Sequence, residues 1–209
     1  MIAVCRDLTD YPRAIEWIEA TDRYCRRESV SGFPGACRSH RAEIAAVNGS
    51  WQRAEQELER ATEELGRFGV SPLVADGYYG LGEVRRLRGD LAAADDALRQ
   101  AHALGHSPHP ALALVRLAQG RVEAATTAIR SAVEEAAQDP VMSARLLLAA
   151  VEIELAAGER ARARRALEAY GELVVAFPSA AREASLHVAT GRVLLADGDA
   201  STAAAELRS

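Results

Sequence analysis

The stretch Gly89-Asp90-Leu91-Ala92-Ala93-Ala94 predicts a turn followed by the start of a helix, and it decides the fold because it recurs along the chain. Gly ends a helix well because it takes the left-handed cap conformation without strain. An Asp or Ser after the Gly caps the next helix by accepting a backbone N–H bond. The final Ala lies where the second helix crosses the first, and a larger side chain there would force the two apart. The stretch therefore predicts a helical hairpin.

The pattern occurs six times. Its final residue is always Ala, at spacings of 40, 40, 31, 38 and 40 residues: Ala14, Ala54, Ala94, Ala125, Ala163 and Ala203. In five copies the first residue is Gly, and in the first copy it is Thr9. Such spacing is typical of stacked helical pairs. Ala and Leu dominate the hydrophobic residues and aromatics are only 5%, which also favours helices over strands. We predict an all-α solenoid of tandem hairpins.

We expect one array over residues 1–209, of about six hairpins. Their approximate bounds are 1–30, 35–69, 72–104, 108–137, 140–176 and 178–209. Two prolines in the linker of residues 105–110 shorten the following helix, which explains the 31-residue spacing. We expect the first and last hairpins to be incomplete and the array to be a piece of a longer protein. Solenoid ends need polar caps, and the uncapped ends expected here would permit self-association.

Charge and hydropathy exclude several classes of protein. The net charge is −5, all 25 basic residues are Arg, and acidic residues surround the Arg clusters. This balance argues against a nucleic-acid surface, which would show a basic stripe. No apolar run is long enough to span a membrane, and three cysteines without a signal peptide favour a reducing compartment. We expect a cytoplasmic chain that binds neither membrane nor nucleic acid.

No constellation of residues indicates catalysis, a cofactor or a metal. A phosphate loop needs a Lys, and the chain has none. Cys5, Cys25, Cys37 and His40 have the ligand types of a zinc site but not its usual spacing, so we expect the cysteines to be small buried hydrophobes. We likewise expect Trp51 to fill a gap in the core rather than to form a ligand cage. His106 and His109 are expected to face solvent.

The first helix of each hairpin lines the concave groove of such an array. Counting back from each turn glycine places eight candidate partner-binding residues on that face: His40, Glu43, Tyr79, Glu83, Arg86, Arg145, Glu152 and Arg192. A groove with one Tyr and mixed charges suits a peptide or a helix better than an apolar metabolite.

The Gly-turn pattern resembles the tetratricopeptide repeat, although its spacing of 38–40 residues is longer than that family's usual unit. Several stretches, among them residues 80–84, 88–91 and 112–120, are similar to the helical-repeat region of large actinobacterial LuxR-type regulators, in which such repeats accompany an ATPase. The resemblance implies a right-handed superhelix and a role in sensing or docking a partner, with the output in other domains.

We therefore predict a non-catalytic protein-interaction and sensory module of a larger bacterial transcriptional or signalling regulator. Its partner is expected to be a protein or peptide, or a neighbouring domain of the same polypeptide. The alternative is a receptor whose groove binds a signalling peptide or small molecule and changes conformation. Neither hypothesis requires a cofactor.

Overall fold

The computed structural model describes Cys5 and residues 10–27, 34–67, 69 and 71–208. Within these residues the chain forms eleven helices and no strand, which confirms the all-α prediction for this part of the chain. The expected first helix of hairpin one and most of the linker at residues 31–35 lie outside the described residues. The helices are α1 (Tyr11–Arg27), α2 (Pro34–Val47), α3 (Trp51–Arg67), α4 (Ser71–Arg88), α5 (Leu91–Ala103), α6 (Ala111–Ala118), α7 (Val122–Glu135), α8 (Pro140–Ala156), α9 (Arg160–Ala176), α10 (Ala180–Asp197) and α11 (Ala200–Glu206).

The recurring turn behaves as the sequence predicts. All five of its glycines have φ between 74° and 90°, a region that residues with a Cβ rarely adopt: Gly49, Gly89, Gly120, Gly158 and Gly198. The six recurring alanines are all buried, none of them more than 2% exposed. The turn pattern therefore predicts a buried alanine correctly in every repeat.

Side-chain caps hold several helix starts. The Asp90 carboxylate accepts a hydrogen bond from the Ala93 N–H at 3.1 Å, and Asp199 accepts one from Thr202 at 3.0 Å. Pro140 occupies the first turn of α8, where its missing N–H costs least. Before α10, however, the cap is Ser179 and the helix begins at Ala180, so the proline of this linker precedes the cap instead of opening the helix.

The shortened helix predicted in hairpin four is present. Helix α6 has only 8 residues, and the preceding linker carries Pro108 and Pro110 buried against the protein. The peptide bond between His109 and Pro110 is cis. Because proline lacks an N–H and fixes φ, these two residues delay the start of the helix.

The chain divides into two compact units, residues 1–115 and 116–209, with the division inside α6. In the first unit α2 packs on α3 and α4 on α5, and α3 and α4 join the two hairpins. In the second unit α8 packs on α9 and α10 on α11, with α9 and α10 in contact. Consecutive helices thus pair as hairpins in both units. The single continuous array over residues 1–209 stays a prediction.

Glycines inside the first helices allow two of the hairpins to close tightly. A Cβ on Gly82 would lie 2.5 Å from Cγ of Leu98, and one on Gly191 would lie 2.8 Å from Cγ of Leu207. Both glycines stand seven residues before their turn glycine, at the same place in their hairpins. Only a residue without a side chain leaves room for the leucine of the second helix.

Candidate functional site

Four of the eight candidate residues occupy one equivalent position. Glu43, Glu83, Glu152 and Arg192 each stand six residues before the turn glycine of their hairpin. All four are on the first helix of a hairpin, and none of them is buried. We call this set the first-helix row.

In the second unit, residues of the first-helix row on neighbouring hairpins contact each other. The Arg192 guanidinium on α10 donates a hydrogen bond to the Glu152 carboxylate on α8 at 2.9 Å. About half of each side chain is exposed, 53% for Arg192 and 46% for Glu152, so the pair faces solvent. Arg145 lies two turns earlier on α8 and is also exposed. The first helices α8 and α10 contact each other directly, and therefore their side chains form one surface.

In the first unit the candidate residues pair within their own helices. Glu83 and Arg86 on α4 are joined at 3.1 Å. On α2 the His40 Nδ1 lies 3.5 Å from a Glu43 carboxylate oxygen, which is too long for a hydrogen bond. All four side chains are partly buried. Helices α2 and α4 also contact each other, so this unit repeats the arrangement of first helices side by side.

Among the eight candidate residues, Tyr79 is buried instead of lying on an open surface. It is 6% exposed and packs in the core with Leu98, Ala111 and Val115. Its ring also lies 4.7 Å from that of His106, centroid to centroid. Residues of α6, in the following hairpin, help to cover Tyr79.

The expectation that His106 and His109 face solvent is wrong, because both are partly buried. Nε2 of His106 lies 3.3 Å from the Asp76 carboxylate on α4, and its Nδ1 lies 2.7 Å from the Ser107 carbonyl oxygen. The linker thus packs against α4 instead of projecting from it. Buried prolines on either side of His109 draw the linker inward.

The expectation for Trp51 is also wrong. Trp51 is 38% exposed, so it does not fill a gap in the core, and Trp17 is 40% exposed as well. Alanines and leucines fill the helix crossings instead, because a repeat with small residues at each crossing leaves no gap of indole size.

Sequence reasoning missed the ion pairs that join neighbouring helices. Arg38 on α2 pairs with Glu57 and Glu64 on α3, and the hydrogen bond to Glu57 is the largest cause that raises the pKa of Arg38. Arg130 on α7 pairs with the buried Glu154 on α8 at 2.6 Å, and this bond raises the pKa of Arg130. The partners lie 19 to 26 residues apart, so only the docking of the helices reveals them.

Two cysteine side chains are described, and neither belongs to a cluster of metal-ligand types. Cys5 is buried and Cys37 partly buried, while the side chain of Cys25 lies outside those parts. Among the described residues no three His, Cys, Asp or Glu side chains come together as a metal site would require.

Comparison with known proteins adds no assignment to this geometry. No helix among the described residues is both long and apolar enough to cross a membrane. No family model matches the sequence, and no curated protein matches it.

Proposed function

We propose that the chain is a right-handed, tetratricopeptide-like repeat array that acts as a non-catalytic protein-interaction and sensory module. We place it in the cytoplasm, within a larger bacterial transcriptional or signalling regulator of the LuxR type. Within each unit the residues of the first-helix row belong to a binding surface, and the partner is a protein or peptide that presents alternating charges. This partner makes ion pairs and hydrogen bonds along the first helices.

The observation that supports this function is the contact between Glu152 and Arg192. Equivalent positions of consecutive hairpins touch there while both side chains remain open to solvent. A peptide laid across α8 and α10 would therefore meet both of these charged groups. Exposed ion pairs contribute little to folding, typically about 0–1 kcal/mol. Their regular placement is thus better explained by recognition than by stability.

The first experiment separates recognition from folding by exchanging the two charges. The double variant Glu152→Arg/Arg192→Glu restores the internal pair, so its free energy of unfolding should return to within about 0.5 kcal/mol of the parent. The charges presented to the partner are reversed, so affinity capture from the native host should lose the partner. Capture that is equally efficient with the exchanged pair would contradict the proposal.

A second pair of variants tests the first unit. Glu83→Ala and Arg86→Ala should each weaken partner binding by about 1–3 kcal/mol if they are hot spots, with little change in melting. The matched control is Glu63→Ala, an exposed residue of α3 that pairs with Arg67 on its own helix. If Glu63→Ala abolishes binding while the α4 variants retain it, the partner uses the second helices and the assigned surface is wrong.

A further inference from the structure

Trp51 has no place in the core or in the first-helix row. It stands two residues after Gly49 in the turn of hairpin two, and it is 38% exposed. Leu91 occupies the equivalent position of hairpin three, where it is partly buried against the core. Single exposed apolar side chains are common on proteins, so the neighbours of Trp51 decide whether it belongs to a binding surface.

Two further exposed apolar side chains stand at equivalent positions on the first helices of the same two hairpins. Val47 and Leu87 are each two residues before their turn glycine, and they are 57% and 42% exposed. Val47 is in the last turn of α2 and Leu87 in the last turn of α4, and these two helices contact each other. Both side chains therefore lie at the turn end of two neighbouring helices.

Ion pairs place Trp51 at this same end. Arg85 and Arg88 in the last turn of α4 both pair with Glu55 of α3. Glu55 is one turn after Trp51, with which α3 begins. The end of α4 therefore lies beside the start of α3, and Val47 stands just before the turn that Trp51 follows. We call these three exposed side chains the turn-end patch: Val47, Trp51 and Leu87.

The turn-end patch adjoins the first-helix row. Val47 is four residues after Glu43, and Leu87 is four residues after Glu83. Residues four apart are neighbours on one side of a helix. A segment bound along the row therefore meets apolar side chains directly beyond the carboxylates. Contiguous exposed apolar groups mark interaction sites, and Trp is enriched among the residues that dominate binding.

The second unit has no equivalent of this patch. In its three turns the residue two before the glycine is always alanine: Ala118, Ala156 and Ala196. Two residues after the glycines stand Val122, which is partly buried, Arg160 and Ala200. The exposure of the patch does not arise at a chain end, since α1 precedes hairpins two and three and α6 follows them within the described residues.

We propose that the turn-end patch anchors a large apolar side chain of the partner. The partner segment carries charged residues that pair along the first-helix row, followed by a Leu, Ile, Met, Phe or Trp at the turn end of the first unit. This inference rests on the proposed function, because it names the chemistry of the partner that the row binds. Charge alone admits many segments, whereas an apolar anchor demands one residue class at one place and so confers specificity.

The test begins with selection of phage-displayed random peptides on the full chain. The selected peptides should combine charged residues with at least one large apolar residue. A synthetic selected peptide should bind Trp51→Ala at least about tenfold more weakly than the parent, and Leu87→Ser about three- to tenfold more weakly, because both variants remove apolar contact. The matched control is Val175→Ser on α9, an apolar residue that is 84% exposed, which should leave the affinity unchanged.

Fluorescence reports on the patch directly. The chain has two tryptophans, so Trp17→Phe leaves Trp51 as the only one. A bound peptide that lacks Trp should bury the indole of Trp51 and shift its emission to shorter wavelength. Circular dichroism melting shows which variants fold, and the emission shift together with Leu87→Ser keeps the test open if Trp51→Ala does not.

Several outcomes would overturn the inference. They include a selection that enriches no peptide, selected peptides without large apolar residues, and Trp51 emission that stays unshifted at saturating peptide. Equal loss of affinity in Val175→Ser and Leu87→Ser would also do so. A dimer in sedimentation velocity that Leu87→Ser dissociates would show that a second copy covers the patch, and an emission shift with phosphatidylcholine vesicles alone would show that lipid does.

Charge variants separate this inference from the proposed function. If Glu83→Ala weakens peptide binding and Leu87→Ser does not, the first-helix row binds the partner and the apolar anchor is wrong. If Leu87→Ser weakens binding while Glu83→Ala and Arg86→Ala do not, the patch binds the peptide without the row, and the proposed function alone fails.

Discussion

Replacing Gly82 with Ala tests the close packing of the hairpins most directly. Two effects oppose each other. Ala is favoured over Gly inside a helix by about 1 kcal/mol. Against this, the new methyl carbon would lie 2.5 Å from Cγ of Leu98 and 3.3 Å from the Ala94 carbonyl oxygen. Ordinary carbon contacts are about 3.5–4.0 Å, so Leu98 would have to move by an ångström or more.

Leu98 has little freedom to make that movement. It is fully buried, and Tyr79, Ala101 and Ala111 surround it in the core. Overpacking a well-packed core typically costs about 1–3 kcal/mol. After the helix-propensity gain of about 1 kcal/mol is subtracted, the overpacking cost leaves a net loss, and we expect Gly82→Ala to lower the free energy of unfolding by up to about 2 kcal/mol.

Urea unfolding provides the measurement, with an unchanged slope showing that stability alone has altered. The control is Gly171→Ala in the interior of α9, where a Cβ would meet only a Leu186 methyl carbon at 3.9 Å. This variant should be neutral or more stable by up to about 1 kcal/mol. If Gly82→Ala is as stable as Gly171→Ala, then Leu98 can yield, and the reasoning on the hairpin contact is refuted.

Three further predictions concern the crossings, the ion pairs and the caps. Ala94→Leu should destabilise the chain by about 1–3 kcal/mol through overpacking, and an unchanged melting temperature would contradict the assigned crossing. Glu154→Ala should lower the free energy of unfolding by about 1–3 kcal/mol, because it empties a buried site and leaves the Arg130 guanidinium without its acceptor. The double variant with Arg130→Ala should lose less stability than the sum of the losses in the two single variants. Hydrogen bonds from Thr202 lower the pKa of Asp199, whose carboxylate caps α11. The cap should therefore stabilise α11 fully above pH about 4, and this contribution should be lost as the pH falls through the lowered pKa. Comparing the pH dependence of unfolding for the parent and Asp199→Ala at pH 2–5 checks the sign.

Part of the candidate site could be predicted because the distance of a residue from the turn glycine determines which side of the helix it occupies. Counting from the turn glycine placed Glu152 and Arg192 at one equivalent position before their contact was known. The same counting misplaced Tyr79, because phase tells which side of a helix a residue occupies but not how deeply the next element covers it. Leu98 and the residues of α6 bury its ring.

The long-range ion pairs could not have been predicted. Arg85 stands in an apparently solvated basic run, yet it reaches Glu55 at 2.8 Å and Glu59 at 3.0 Å on the preceding helix. Many acidic residues of α3 are equally plausible partners in the sequence, since α3 carries Glu at several positions on its surface. Selecting among them requires the angle and offset at which two helices dock, and local pattern contains neither.

The sequence by itself determined the elements of this protein: which segments are helices, where they turn and which alanines lie at the crossings. These features depend on interactions within a few residues, namely backbone conformation at glycine, capping and helical periodicity. Only the tertiary structure decided which surfaces remain open. Leu58 and Leu207 have the same local pattern, yet one is 2% and the other 49% exposed. The difference arises because α4 covers Leu58, whereas no helix among the described residues covers Leu207. Burial is a property of what packs against a residue and is not encoded in its own segment.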